Sequence, residues 1–143
     1  ACMVSCGDAD GAVTGNTRRY GASLEKIKKV IEPRPGEIMF GLNMIVNKGK
    51  TVFVGDTSVH EYPSSEQLAE IAISSARVVR LFGFDPKVAF VSHSTFGQPL
   101  TSRTKHIKDA VEILKKKKVN LPQFCWRIYK ITPALPMEWG IEK

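Results

Sequence analysis

Cysteine is scarce in this sequence: Cys2, Cys6 and Cys125 are its three thiols. They cannot all pair, and they offer neither a four-ligand metal spacing nor a disulfide framework. A disulfide-stapled secreted module is excluded, and a reducing, cytoplasmic setting is expected. No apolar run approaches the ~18 residues that would span a bilayer. With 43% hydrophobic and 24% charged residues, the composition is that of a soluble globular chain rather than a disordered one. The opening stretch Ala1-Cys-Met-Val-Ser-Cys-Gly-Asp-Ala-Asp10 lacks the basic start and long apolar segment of a secretory leader. It also lacks an initiator Met and begins in mid-pattern, as a fragment is expected to. The P-loop, the Rossmann glycine fingerprint and the serine nucleophile elbow are absent. His60, Glu61 and His93 offer no metal spacing such as a histidine pair at i, i+4, so no metal site is expected.

At 143 residues there is room for one domain of ordinary size, and two independent cores are not expected. The formal charge of +7 is unevenly placed: residues 103 to 143 hold 10 bases and 4 acids, which supplies +6 of it. Much of the excess is one run, Lys115 to Lys118, at the end of an expected helix. A basic contact surface for nucleic acid is one reading. The preferred reading is a solvated helix end, where cations are favoured by the helix dipole, so nucleic acid is not expected as a partner.

Along the chain, small apolar residues up to Gly7 suit the last turns of a helix. A short strand is expected from Gly11 to Gly15, then a polar loop, then a helix in which Leu24, Ile27, Val30 and Ile31 recur at intervals of three and four before Pro33 and Pro35. Glu37 to Asn47 favours strand, and Lys50 to Val54 returns after a Lys-Gly pair suited to a tight turn, which predicts an antiparallel hairpin. Ser64 with Gln67 forms a capping-box pattern. It opens a helix whose one face carries Leu68, Ile71, Ala72, Ser75, Val78, Val79 and Phe82, and Gly83 closes it. Val88 to Val91 is a continuous apolar run of the kind found in strands covered on both faces. A last helix begins near Ser102 and repeats Ile107, Ala110, Val111 and Leu114. Phe40, Phe53 and Phe90 read as core. Strand, polar loop and helix thus occur twice, the grammar of a layered α/β domain with one antiparallel hairpin. Residues 121 to 143 hold both tryptophans and no clear period, and they find no place in that pattern.

Three loops could carry chemistry. Gly15-Asn-Thr-Arg-Arg-Tyr20 combines a permissive glycine with Asn16, the Thr17 hydroxyl and the guanidinium groups of Arg18 and Arg19 ahead of a helix start, a pattern able to bind an anion, or else to solvate a surface loop. In Ser92-His-Ser-Thr-Phe-Gly97, Ser94, Thr95 and Gly97 would let the backbone approach a phosphate, or cap their own turn. His93 could serve there as base or donor, with no carboxylate nearby in sequence to orient it. Asp56 ends a strand ahead of Thr57 and Ser58, as an acid/base group or as a turn residue, the second being preferred. The cysteines lack a neighbouring base and read as buried or incidental sulfur.

Several segments, in order, resemble one family. Asp8-Ala-Asp-Gly-Ala-Val-Thr-Gly15, Gly55-Asp-Thr-Ser-Val-His60, Pro63-Ser-Ser-Glu-Gln-Leu-Ala-Glu-Ile-Ala72, Phe82-Gly-Phe-Asp-Pro-Lys-Val-Ala-Phe90 and Ser94-Thr-Phe-Gly97 resemble the phosphate acetyl/butyryltransferase family over residues 1 to about 120. Within it, the Gly15 to Tyr20 loop is more similar to the equivalent loop in the phosphotransacetylase-like C-terminal domain of large bacterial malic enzymes than to that of free-standing phosphotransacetylases. That resemblance implies a partial phosphotransacetylase-like domain at 1–120 with an atypical tail at 121–143. It implies an acyl-CoA-binding regulatory portion of an enzyme that oxidatively decarboxylates malate to pyruvate, with acyl transfer between CoA and phosphate as the alternative. Acetyl-CoA or CoA would be the ligand of Asn16, Thr17, Arg18, Arg19, Asp56, Ser94, Thr95 and Gly97. No cofactor would belong to this fragment itself, NAD(P) and a divalent metal would belong to the remainder of the parent, and the full-length domain would form a homo-oligomer. Transferase members carry a Ser-Arg-Gly segment and a following Asp near their C-terminus. This sequence shows neither, and residues 121 to 143 look like the product of a truncated or altered reading frame, so the fragment alone is expected to be inactive.

Overall fold

The computed structural model describes residues 1–92, 101–117 and 129–130. Where the length predicts one domain, the chain divides into two compact units, Ala1–Ile38 and Met39–Lys143. No described helix is long and apolar enough to cross a membrane.

In the first unit, α1 (Cys2–Cys6) stops at Gly7, whose left-handed φ of 82° lets its N–H turn back to the helix. Residues 11 to 15 form no strand. They are exposed and have no ladder partner among the described residues, and an extended segment becomes a strand only by pairing its N–H and C=O groups. Helix α2 (Tyr20–Lys28) ends earlier than its apolar spacing suggests. The N–H groups of Val30 and Ile31 both return to the carbonyl of Ile27, and Pro33 keeps Glu32 out of the helical region. Leu24 and Ile27 are half-buried, as expected of the stripe, yet no residue of this unit is fully buried.

The second unit holds the core. Strands β1 (Leu42–Asn47) and β2 (Lys50–Gly55) pair antiparallel, from Leu42 opposite Gly55 to Asn47 opposite Lys50. Lys48 and Gly49 take φ values of 47° and 77°, the two left-handed positions that match a tight hairpin to the strands' twist. The strand starts at Leu42 rather than Glu37 because β2 ends opposite it, and the Gly41 N–H turns to the Asp56 carboxylate instead. Leu42, Met44 and Val46 alternate onto the face that carries Phe53, whose ring lies 5.8 Å from those of Phe82 and Phe84.

Helix α3 (Ser65–Leu81) opens on the expected capping box: Gln67 N–H donates to Ser64 Oγ, and Ser64 N–H donates to Gln67 Oε1. It is buried on more than one side. Ser65, Ala69, Ala72, Ala76 and Val79 form one stripe, Ile71 and Ser74 lie away from it, and Phe82, expected on the core face, is 56% exposed. The reason is local: Phe82 lies past the last helical residue, and its ring packs on Phe53 instead. Ala69 and Ala72 are small enough to admit Leu114 of α4 (Ser102–Lys116) into close contact. Thr101 and Thr104 cap α4 with a second box, and Thr104, Ala110 and Leu114 are buried.

Val88 to Val91 is not covered on both faces. Val88 and Phe90 pack on the Ala69, Ala72 and Leu114 cluster, whereas Ala89 and Val91 are exposed. Alternation of period two, hidden in an all-apolar run, sorts them. Only β3 (Val91–Ser92) is strand, paired in parallel with β4 (Tyr129–Lys130). Part of the segment that the sequence pattern leaves unplaced is therefore a strand neighbour. The described residues are α/β in content, with helices, one antiparallel hairpin and one short parallel pair.

Candidate functional site

Asp56 follows β2 directly, and its carboxylate is 3% exposed. Oδ1 accepts from the N–H groups of Gly41 at 2.9 Å, Ser58 at 3.1 Å and Val59 at 3.1 Å. Oδ2 accepts from the N–H of His60 at 3.0 Å and lies 2.8 Å from His60 Nδ1. Burial alone would raise its pKa. The bonds from Ser58 N–H, the His60 ring, Gly41 N–H and Val59 N–H outweigh that and hold it below the ordinary carboxylate value. Successive N–H groups converging on one anion are the geometry of a phosphate-binding nest. Here the anion is the protein's own Asp56, so those donors are already occupied. Thr57 is held as well, its Oγ1 accepting from Asn43 Nδ2 at 3.0 Å across the hairpin.

Gly41 and Gly55 permit this loop to sit tightly. A Cβ on Gly41 would stand 3.0 Å from Asp56 Oδ1 and 3.3 Å from both Ser58 Oγ and Thr57 Oγ1. One on Gly55 would stand 3.0 Å from Ser75 Oγ of α3. Ser75 Oγ is buried and has no hydrogen-bond partner among the described residues.

In the first unit, Asn16, Thr17, Arg18 and Arg19 are all exposed. Asn16 takes a left-handed φ of 67°, and Thr17 N–H donates back to Gly15 O at 2.8 Å, a three-residue turn. Arg19 is the N-cap of α2 and makes no side-chain cap bond. Neither guanidinium group has an ion pair or hydrogen bond among the described residues. The four residues therefore share one exposed turn. Ser94, Thr95 and Gly97, with His93 and Cys125, lie outside the described residues.

The lysine run is partly neutralised. Lys115 Nζ lies 3.2 Å from Glu112, and Lys117 Nζ lies 3.8 Å from Glu70 of α3. Such exposed pairs are each worth about 0–1 kcal/mol, but they place acid beside two of the four cations. Among the described residues no group of three or more His, Cys, Asp or Glu side chains is arranged to hold a metal ion. Sequence reasoning weighed His60 only as a metal ligand and missed its contact with Asp56. Asp and His at i, i+4 around a Thr-Ser turn were the available signal, and only the folded loop turns that spacing into a contact.

Comparison with known proteins gives a consistent picture. A family model described as phosphate acetyl/butaryl transferase matches residues 1–125. An NADP-dependent malic enzyme of Rhizobium meliloti (strain 1021) is 43% identical over 120 residues, covering 84% of this chain and 16% of that protein. The NADP-dependent malic enzyme of Escherichia coli (strain K12) is 33% identical over 82% of this chain and 16% of its own length. A phosphate acetyltransferase of Nitratidesulfovibrio vulgaris is 34% identical over 80% of this chain and again 16% of its length. The chain thus spans about a sixth of each of these relatives. With the match running through the Asp56 loop, both capped helices and the Asn16 to Arg19 turn, the chain belongs to the phosphate acetyl/butaryl transferase family.

Proposed function

We propose that this chain is the acyl-CoA-binding, regulatory portion of an NAD(P)-dependent malic enzyme, whose parent reaction is oxidative decarboxylation of malate to pyruvate. The observation that carries the ligand part of this reading is the pair of exposed guanidinium groups of Arg18 and Arg19, without a partner among the described residues, in a turn that precedes a helix. Asn16, Thr17, Arg18 and Arg19 would meet the CoA phosphates through N–H groups and planar charge, with Ser94, Thr95 and Gly97 as further phosphate contacts. Asp56 would contribute through its loop rather than by direct contact, since its oxygens are spent on that loop. NAD(P) and the divalent metal of the parent reaction would be held by the remainder of the parent. The two strand pairs would belong to one layered sheet of the complete domain, which would self-associate in the cytoplasm. Names of the malic-enzyme relatives support the parent assignment.

Regulation requires that ligated and free forms pack differently on the catalytic region, because a ligand shifts only states that it binds unequally. Calorimetric titration with acetyl-CoA tests the binding step. Arg18→Ala with Arg19→Ala should weaken it at least ~10-fold, the loss of roughly one charge-assisted contact, and unchanged affinity removes the turn from the site.

The phosphate acetyltransferase relative favours a second reading: exchange of an acyl group between CoA and phosphate, with donors stabilising the charge that develops as a thiolate attacks an acyl phosphate. Incubation with CoA and acetyl phosphate separates the two. Turnover above a protein-free blank supports the transferase reading over the regulatory one.

A further inference from the structure

Three sulfur side chains share one exposed arc of α1. At about 100° of rotation per residue, Cys2, Cys6 and Met3 fall within roughly 100° of the helix circumference, because Cys6 stands four residues after Cys2 and three after Met3. Val4 falls on the opposite side and is the half-buried residue of the helix. Both thiols are free and exposed, and Met3 is 63% exposed. None of the three side chains has a hydrogen bond or ion pair among the described residues. A thioether ordinarily fills gaps in a core, so Met3 in solvent beside two thiols is out of its usual place.

The arc is held in shape. Gly7 N–H donates to Val4 O at 3.2 Å and Asp8 N–H to Met3 O at 2.8 Å, closing the helix, and Ser5 Oγ donates to Val30 O at 3.5 Å. While the helix persists the two thiols cannot join: Cβ atoms at i, i+4 stand about 5–6 Å apart, whereas a disulfide needs about 3.5–4.5 Å. A metal ion fits that gap, since two metal–thiolate bonds of about 2.3 Å span up to ~4.6 Å between sulfurs. Thiolates and thioethers are soft ligands, the kind that select monovalent copper. Zinc takes four ligands, more than the arc supplies, and among the described residues no histidine or carboxylate joins the two thiols.

We propose that Cys2, Met3 and Cys6 form a binding site for a soft monovalent cation, copper(I), on the exposed face of α1. Each thiol gives up its proton to solvent, the two thiolates bond to the ion, and the Met3 thioether completes a three-coordinate site. No electron is transferred: the ion arrives and leaves as copper(I).

Anaerobic titration of the whole chain against the copper(I) complex of bicinchoninate tests the site. One equivalent of copper should pass from the chromophore to the protein. Cys2→Ser and Cys6→Ser should each weaken retention at least ~100-fold, beyond the ~10–100-fold that loss of an outer-shell partner produces. Met3→Leu, which keeps the bulk of the side chain, should weaken it by a smaller factor, and Cys125→Ser should bind as the wild type does. All three ligands are exposed, so these variants should melt at the wild-type temperature, and lost copper then reports the site rather than the fold. X-ray absorption of the loaded wild type should find sulfur alone around the ion. Failure of the wild type to take copper from the chromophore overturns the proposal. So does wild-type retention in the chain carrying both Cys2→Ser and Cys6→Ser, loss of binding in Cys125→Ser, or displacement of the copper by an equivalent of zinc. Nitrogen or oxygen neighbours in the absorption spectrum contradict it as well.

Discussion

The N–H of Gly41 donates to Asp56 Oδ1 at 2.9 Å, tying the residue before the hairpin to the residue after it. This bond closes the open end of the two-stranded ladder and anchors the loop that carries His60. A methyl group on Gly41 would stand 3.0 Å from the same oxygen, with the Thr57 and Ser58 hydroxyls at 3.3 Å. Gly41→Ala should therefore destabilise the fold by about 1–3 kcal/mol, the usual range for overpacking. Asp56→Ala should cost more, because it strands several backbone N–H groups at about 1–3 kcal/mol each. Urea unfolding of both variants gives the comparison, and an Asp56→Ala protein as stable as Gly41→Ala would contradict this account of the loop.

The depressed pKa of Asp56 carries a definite sign. A carboxyl that titrates below its ordinary value of 3.8 in the folded protein binds a proton more readily when unfolded, so it stabilises the fold above that value. The contribution is lost as pH falls through the lower, folded pKa. Asp56→Asn should thus be less stable than wild type at neutral pH, and the gap should narrow as the pH drops below the ordinary carboxylate range. Chemical denaturation at a series of pH values checks it, and a gap that stays constant into acid would show that Asp56 acts by shape rather than charge.

Two capping boxes start the two long helices. Ser64→Ala and Thr101→Ala each remove an acceptor for an N3 backbone N–H, and each should cost about 1 kcal/mol. Thr101 has one more consequence. Its box partner Thr104 is 1% exposed and donates its hydroxyl back to the Thr101 carbonyl at 2.9 Å, so Thr104→Val, which buries no polar atom, should be tolerated better than Thr104→Ala, which leaves a cavity. Thermal unfolding of the pair measures the order, and the reverse order would show that the Thr104 hydroxyl outweighs the volume of its side chain.

What the sequence discloses here is whatever is local. Ser64 with Gln67, Gly83 after α3 and the Lys48-Gly49 turn each act within a few residues, and the structure places each as its chemistry requires. Failures come where pairing is long-range. Gly11 to Gly15 has strand composition but finds no ladder partner among the described residues, and Val88 to Val91 hides alternate burial inside uniformly apolar residues. The site divides in the same manner. Arg18 and Arg19 are legible as exposed charge beside a helix start, whereas the occupation of the Asp56 nest depends on Gly41, 15 residues away. That distance is also why the sequence leaves Asp56 open between a turn residue, the preferred reading, and an acid/base group until the fold is known.

Gly55 and Ser75 offer the sharpest test of how β2 meets α3. The Ser75 hydroxyl is buried without a partner among the described residues, and a buried polar atom left unpaired costs about 1–3 kcal/mol. Ser75→Ala should accordingly be neutral or stabilising, unlike most substitutions in a helix interior. Gly55→Ala alone should destabilise, because its new methyl would stand 3.0 Å from Ser75 Oγ and 3.3 Å from Leu42 Cδ1. Combining the two removes the nearer obstacle, so the double variant should recover part of the loss, with a coupling of about 0.5–3 kcal/mol. Strict additivity in the urea-unfolding cycle would mean that the strand and helix do not touch through this pair, and that the Leu42 contact alone limits what Gly55 can carry.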